Sequence, residues 1–128
     1  MSSIHYCYGG KYKWRLEAEA SYHVGIPGTV NHKYFSLKDG LLTAKKGYEW
    51  DGPSGPAIDT ANFMRGSLFH DLLYQLMREG YIPRSFRKKA DQVMRELCLS
   101  DGMSRIRAWW VYTGVRIGAG NAAKRRKE

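Results

Sequence analysis

The spacing of apolar residues changes near residue 50, and this change limits the possible folds more than any other feature of the chain. Before residue 50, apolar and polar residues alternate, as they do along half-buried strands. After it, apolar residues recur every three or four positions, as they do on one face of a helix. A strand-rich half followed by a helix-rich half predicts an α+β fold, in which an N-terminal antiparallel β-hairpin sheet packs on three C-terminal helices.

The first strands are predicted from alternation and from a pair of glycines. Apolar residues occupy every second position over residues 12–24, which predicts one long, half-buried strand. Gly9-Gly10 precedes this segment and favours a turn after a short strand over residues 4–8. We therefore expect the chain to start with two paired strands.

A tight hairpin and a loop rich in glycine and proline complete the strand-rich half. Asp39-Gly40 is a strong hairpin signal, which predicts a turn between strands over residues 34–37 and 41–44. The loop at residues 47–56 holds three glycines and two prolines, so regular structure is excluded there. Such a loop presents backbone amides and carbonyls in a fixed shape. The alternative is a plain connection between the sheet and the helices.

Three helices are predicted in the second half. The first is capped by residue 59 or 60 and ends near residue 79; it is apolar round most of its circumference, which predicts a central, buried position. The second covers about residues 83–99. The third begins after Ser104, an N-cap residue, and at least one of its two tryptophans is expected in the core. Five residues of the third helix share one face: Ile106, Trp109, Trp110, Thr113 and Ile117.

The length and composition favour a single domain. The chain has 128 residues, so we expect one domain over residues 1–123 and a basic C-terminal tail over residues 124–128. Cys7 and Cys98 lie far apart and lack the spacing of a zinc site or a disulfide framework. The N-terminus lacks the charged and apolar regions of a secretion signal. No apolar run approaches the roughly 20 residues that a transmembrane segment needs.

The excess of basic residues predicts an anionic partner. The net charge is +9, which suits an anionic lipid surface, an acidic protein or nucleic acid. Nucleic acid is the weaker of these because no recognised binding motif accompanies the charge. The alternative is that the charges serve only solubility. The candidate anion-binding residues form two clusters, which are Lys88 with Lys89, and Lys124, Arg125, Arg126 and Lys127 in the tail.

One polar cluster interrupts the most apolar of the predicted helices. Tyr74 follows His70 by four positions, so the two side chains share a face. If the first two helices pack antiparallel, Asp91 can reach His70, and a carboxylate on one imidazole nitrogen raises the basicity of the other. His70, Asp91 and Tyr74 are then a candidate catalytic group that activates water. Asp71 points toward the preceding loop, where loop carbonyls and its carboxylate suit calcium. The alternative is a structural hydrogen-bond network.

A set of positions between the glycine-rich loop and the third helix forms a family pattern. These positions include Gly47, Tyr48, Asp51, Gly52, Ser54, Pro56, Arg65, His70, Asp71, Leu73, Tyr74, Arg87, Ala90, Asp91, Arg107, Tyr112, Val115, Arg116 and Gly118. Together they resemble domain-of-unknown-function family 1353, which is common in tailed-phage and prophage genomes, and the similarity covers roughly residues 30–120. The resemblance implies a phage origin, and so a place in the host cytoplasm during infection or in the virion, but it assigns no function.

The same cluster is more loosely similar to calcium-dependent secreted phospholipases and to the phospholipase domain of parvovirus capsids. This similarity implies that His70 is the general base, that Asp71 binds calcium, and that Tyr74 and Asp91 hold His70 in place. It also implies a calcium-dependent hydrolase that acts at an anionic lipid surface. The alternative is a non-catalytic virion or tail component, or a protein that binds a phage or host protein. The carbonyls that would complete the calcium shell lie near Trp50, Gly52 and Gly55.

Overall fold

A computed structural model describes residues 4–10, 13–51 and 61–118 of the chain. Within these residues, antiparallel strands in two sheets are followed by three helices, which confirms the predicted α+β class. The chain divides into two compact units. One is Ser2–Gly52, which contains the strands, and the other includes Pro53–Glu128, which contains the helices. The single domain expected from the chain length stays a prediction.

Seven strands lie in the described part of the N-terminal unit. The sequence predicted one sheet for this part of the chain. The strands form two sheets, and every pairing is antiparallel. The strands are β1 (Tyr6–Gly10), β2 (Lys13–Leu16), β3 (Ala20–His23), β4 (Val30–Asn31), β5 (Phe35–Lys38), β6 (Leu41–Ala44) and β7 (Glu49–Trp50). The order is β1-β2-β7 in the first sheet and β3-β6-β5-β4 in the second.

The long strand predicted over residues 12–24 is wrong, because the segment is two strands that belong to different sheets. β2 ends at Leu16 and pairs with β1 and β7, whereas β3 begins at Ala20 and pairs with β6. A bend separates them, and its backbone is tied by a bond from the Glu17 amide to the His5 carbonyl. Apolar residues occupy every second position on both sides of the bend, without a shift. Two strands therefore have the same pattern of apolar and polar residues as one long strand.

The hairpin predicted at Asp39-Gly40 is confirmed between β5 and β6. Asp39 has φ 51° and Gly40 has φ 79°, the left-handed conformations that a two-residue hairpin turn requires. A Cβ atom on residue 40 would lie 3.0 Å from His23 Nε2, so glycine also serves the close approach of the β3 end. The strands on either side of the turn supply Phe35, Leu37, Leu42 and Ala44 to the core.

Three helices lie in the described part of the C-terminal unit: α1 (Ala61–Arg78), α2 (Arg87–Ser100) and α3 (Arg105–Gly118). α1 is buried on most of its surface, as its composition predicts. A 3₁₀ turn, Arg84–Phe86, leads into α2, and the Ser104 hydroxyl accepts the Arg107 amide as the predicted cap of α3. The predicted caps at residues 59 and 60 lie outside the described residues. In the described part of the chain, no helix has the length and apolarity needed to cross a membrane.

The prediction for the face of α3 is wrong. The buried residue of α3 is Ala108, and Val111 and Val115 pack beside it against the core. Both tryptophans are exposed, as are the two isoleucines that share their face. α3 carries apolar residues on two opposite sides, and the smaller ones pack inward because they allow a closer approach to α2. The exposed residues are Ile106, Trp109, Trp110 and Ile117.

Candidate functional site

The candidate site is built on a buried imidazole–carboxylate pair between the first two helices. His70 lies in the middle of α1 and is 6% exposed, and Asp91 lies in the second turn of α2 and is fully buried. His70 Nε2 is 2.7 Å from Asp91 Oδ1. The two helices run antiparallel, since residues late in α1 meet residues early in α2. The structure thus brings together the two residues that helical spacing predicted to meet.

Tyr74 completes the group that the sequence predicted. Its hydroxyl donates to Oδ1 of Asp91 over 2.6 Å, the same oxygen that faces His70. Its ring centroid lies 4.2 Å from that of His70, because the two residues are one helical turn apart on α1. The carboxylate of Asp91 therefore fixes the imidazole at one nitrogen, and the tyrosine fixes the carboxylate.

Two arginines that the sequence marked as family positions also belong to this group, one bound to the Asp91 carboxylate and the other to the Tyr74 hydroxyl. Arg116 of α3 places NH1 3.0 Å from Oδ2 of Asp91. Arg87 donates from Nε to the Tyr74 hydroxyl over 3.2 Å, and its NH2 donates to the carbonyls of Val115 and Arg116 over 2.8 and 2.7 Å. All three helices thus converge on Asp91. Arg87 had a sequence signal, since it lies four positions before Asp91 on one face of α2.

The second ring nitrogen of His70 faces a different environment. Its Nδ1 is 3.7 Å from Oδ1 of Asp71, whose side chain is 32% exposed. Asp71 follows His70 directly, so it turns about 100° round α1 from the buried pair. The imidazole is therefore held at Nε2 by a buried carboxylate and flanked at Nδ1 by a partly exposed one.

The charges of the pair are set by these contacts. Burial acts most strongly on His70 and lowers its pKa, but Asp71 and Asp91 together raise that pKa above the ordinary 6.5. Burial would raise the pKa of Asp91, yet bonds from His70, Tyr74 and Arg116 hold it below the ordinary 3.8. Asp91 is therefore ionised and can only accept hydrogen bonds, so the proton between the pair lies on Nε2.

A pH dependence of stability follows from the raised pKa of His70. Protonated His70 stabilises the fold at pH values below its ordinary pKa of 6.5, and this contribution is lost as the pH rises through the raised pKa. We expect the stability advantage of the wild type over His70→Gln to shrink as the pH rises above 6.5, measured as thermal midpoints in chelator. An advantage that stays constant over this range would show that His70 does not titrate as described.

Asp91 gives the complementary effect in acid. Its pKa is lowered on folding, so its stabilising contribution is present above the ordinary 3.8 and is lost as the pH falls through the lowered value. The pair therefore stabilises the fold most between the pKa of Asp91 and that of His70. Thermal midpoints of the wild type and Asp91→Asn, measured from neutral into acidic pH, test this loss of stability.

Arg65, which was predicted as a family-motif residue, belongs to a separate ion pair. Its Nε and NH2 lie 3.1 and 2.8 Å from the two carboxylate oxygens of Asp101, and NH2 is 3.4 Å from the Ser100 hydroxyl. Both partners are mostly buried. This bidentate pair ties α1 to the end of α2, so its geometry is that of a structural contact. Asp101, which follows the last residue of α2, was not predicted as a partner of Arg65.

The remaining predicted residues are spread over the chain. Trp50 is buried in β7, a two-residue strand inside the loop predicted to lack regular structure, so that prediction is wrong at residues 49 and 50. Asp51 is exposed at the end of β7. Lys88 is exposed and Lys89 is half-buried on the first turn of α2. The other predicted positions lie outside the described residues, so their roles stay predictions: Gly52, Ser54, Gly55, Lys124, Arg125, Arg126 and Lys127.

Asp71 fits calcium as a single ligand. Calcium takes about six to eight oxygen ligands, including carboxylates and backbone carbonyls. The partly exposed carboxylate of Asp71 is of this type. Residues 4–10, 13–51 and 61–118 hold no group of three or more His, Cys, Asp or Glu side chains suited to a metal ion. A full shell would therefore need backbone carbonyls or residues from elsewhere in the chain.

A comparison with known families identifies the chain. The sequence model of the family described as "Protein of unknown function (DUF1353)" matches residues 29–115. This is more than half of the 128 residues, so the chain belongs to that family. No curated protein and no solved structure matches the chain. The family description assigns no activity.

Proposed function

We propose that this member of the DUF1353 family is a calcium-dependent hydrolase of the phospholipase type, with His70 as its general base. The observation that carries the proposal is the orientation of the His70 ring. Asp91 binds Nε2 at 2.7 Å, and Nδ1 lies on the side of the partly exposed Asp71. A base oriented by a buried carboxylate, with its second nitrogen left to take a proton, is the arrangement that water activation requires.

In this proposal, each residue of the group has a defined part. Asp91 accepts the Nε2 proton, which fixes the tautomer whose Nδ1 lone pair is available. Tyr74 and Arg116 hold the carboxylate of Asp91 in place. Nδ1 takes a proton from a water molecule as the water oxygen attacks an ester carbonyl, and returns it to the leaving alcohol. Calcium bound by Asp71 and loop carbonyls would stabilise the negative charge on the carbonyl oxygen.

The titration of His70 determines how the rate of the proposed hydrolysis depends on pH. A general base acts in its deprotonated form, and in the calcium-free protein Asp71 and Asp91 hold the ring protonated to higher pH than usual. Calcium bound by Asp71 would remove the part of this effect that comes from Asp71. We therefore expect hydrolysis to increase as the pH rises through the pKa that His70 has in the calcium-bound protein. This trend is opposite to the trend in stability over the same range.

Calcium binding is tested first by stability, because this readout does not depend on turnover. An ion that binds only the native protein at a hundredfold its Kd adds about 2.7 kcal/mol of stability, a rise in thermal midpoint on the order of 10 °C. We expect this rise in the wild type and its loss in Asp71→Asn. Glu96→Gln, which changes an exposed carboxylate of α2, is the matched control. A calcium response that survives in Asp71→Asn would remove Asp71 from the metal site.

Hydrolysis is tested on vesicles of anionic phospholipid, with calcium or chelator. We expect ester cleavage in the wild type with calcium and a loss of about 100- to 10,000-fold in His70→Gln, the usual range for removal of a general base. Glu96→Gln should retain the wild-type rate, since its carboxylate lies on the exposed part of α2. Cleavage that persists at the wild-type rate in His70→Gln would refute the role of His70.

A second candidate function is favoured by the convergence of three helices on Asp91. His70 and Tyr74 of α1 and Arg116 of α3 all bind this one carboxylate. In this alternative, the group is a structural clasp in a non-catalytic phage protein, either a virion or tail component or a protein that binds a host partner. It predicts no calcium response, no hydrolysis and co-purification with assembled particles. Stability losses in Asp91 variants are expected under both candidates and do not separate them.

A further inference from the structure

The outer face of α3 is an apolar surface on a strongly basic segment. Ile106, Trp110 and Ile117 are 75%, 69% and 82% exposed. At about 100° per residue, these three side chains lie within a narrow arc of the helix, on the side opposite Ala108 and Val115. We call the exposed residues Ile106, Trp109, Trp110 and Ile117 the outer face of α3.

Four exposed large apolar residues on one short helix need a physical explanation. Exposed apolar residues scattered singly are common, but a contiguous group marks an interaction surface. The rings of Trp109 and Trp110 meet edge to face, with centroids 6.4 Å apart, so they form one aromatic ridge. The inward face of α3 is already packed against Phe63, Met94 and Met103, so the outer face is not needed for the core of this unit.

The charge around this face selects the partner. From Arg105 to Lys127 the chain carries seven basic residues and no acidic one. By helical spacing, the exposed Arg105 borders the outer face next to Trp109. An apolar ridge with tryptophans on a basic segment is the pattern of a helix that lies in a membrane interface, where basic residues meet anionic headgroups.

We propose that the outer face of α3 docks on an anionic lipid surface, with α3 parallel to the membrane plane. Trp109 and Trp110 would lie at the level of the headgroups, where their rings meet both apolar and polar surroundings. Ile106 and Ile117 would reach the first acyl carbons, and Arg105 would stay among the phosphates, while Arg116 keeps its ion pair with Asp91. The choice of lipid as the partner rests in part on the proposed lipid hydrolysis.

Two other occupants fit the surface less well. A second copy of the chain would bring two basic segments together, in a protein whose net charge is already +9. Nucleic acid would satisfy the cations and stack on Trp109 or Trp110, but Ile106 and Ile117 have no partner in a phosphate backbone. A lipid interface is the occupant that accommodates the aliphatic, aromatic and basic residues together.

The test is co-sedimentation of the full chain with vesicles of phosphatidylcholine, with and without phosphatidylglycerol. It is done in chelator, where calcium-dependent hydrolysis is silent, so binding is measured apart from the proposed reaction. We expect the wild type to sediment with the anionic vesicles, less so at high salt. Trp110→Ser with Ile117→Ser should lose at least tenfold in partition coefficient. Leu99→Gln, an exposed apolar residue of α2, should bind as the wild type does.

Three other outcomes overturn the proposal, and a fourth separates it from the proposed function. Equal binding by the double variant, with an unchanged thermal midpoint, would show that the outer face is not the lipid surface. Failure to bind vesicles, with self-association that the double variant loses, would assign the face to a second copy. Binding to an oligonucleotide instead of vesicles would assign it to nucleic acid. Binding in chelator without any hydrolysis in calcium would refute the proposed function and leave the lipid surface standing.

Discussion

Replacing Asp91 by alanine is expected to lower the free energy of unfolding by about 3–5 kcal/mol, the usual effect of removing one partner from a buried ion pair. Asp91 is fully buried and accepts from His70, Tyr74 and Arg116. Without its carboxylate, an imidazole N–H and a tyrosine hydroxyl stay buried with no acceptor at this position, and the guanidinium of Arg116 loses its ion pair. The loss should appear as a lower urea midpoint with an unchanged m-value.

Asp91→Asn separates the charge of this residue from its shape. The amide keeps an acceptor oxygen but not the negative charge, so we expect a smaller loss of about 1–3 kcal/mol. Glu79→Ala, which truncates an exposed carboxylate, should change stability by less than about 0.5 kcal/mol. A loss below about 1 kcal/mol in Asp91→Ala would mean that solvent replaces the bonds of the carboxylate, and that the three helices do not depend on it.

The contacts among His70, Tyr74 and Asp91 could be predicted because helical periodicity and a short connection determine which of their side chains meet. His70 and Tyr74 are one turn apart, and Asp91 lies on the next helix, which a short connection turns back along α1. Arg116 could not be predicted as a partner of Asp91. It comes from α3, which carries apolar residues on two sides, so periodicity does not determine which side of that helix faces the core.

Periodicity was also insufficient to predict where one strand ends and the next begins. Alternation predicted that residues 12–24 are extended, and β2 and β3 are extended. It could not show the break between them, because Leu16 and Ala20 are an even number of positions apart and the pattern stays in phase. The break is determined by backbone pairing with distant segments, such as the bond from the Gly47 amide to the Leu16 carbonyl. The Asp39-Gly40 turn, in contrast, is a local signal, and it was predicted correctly.

Replacing Gly66 by alanine should destabilise the protein by about 1–2 kcal/mol, although alanine is the better helix former by about 1 kcal/mol. A Cβ atom at residue 66 would lie 2.8 Å from Cys98 Sγ and 3.0 Å from the Met94 carbonyl oxygen. The carbonyl belongs to the α2 backbone and cannot move without moving the helix, and the thiol is fully buried, so rotation would press it against other core atoms. Chemical denaturation of the variant measures the effect.

Gly114→Ala is the matched control, because nothing lies within 4 Å of a Cβ atom at that position of α3. It should stabilise the protein by about 0.5–1 kcal/mol, the ordinary gain of alanine in a helix. If Gly66→Ala stabilised the protein equally, α1 and α2 would not be in the close contact that the structure has at this point.

A double-mutant cycle with Cys98→Ala identifies the clash. Removing the sulfur gives the new methyl group room, so the combined loss should fall short of the sum of the single losses by about 1 kcal/mol. Additive losses would place the strain at the Met94 carbonyl instead.

The close contact between Gly66 of α1 and Cys98 of α2 also affects the candidate site. Gly66 is one helical turn before His70 on the side of α1 that faces α2, so a helix separation widened at residue 66 should lengthen the His70–Asp91 hydrogen bond. The Gly66→Ala variant is therefore expected to show a weaker pH dependence of stability than the wild type, as well as a lower stability.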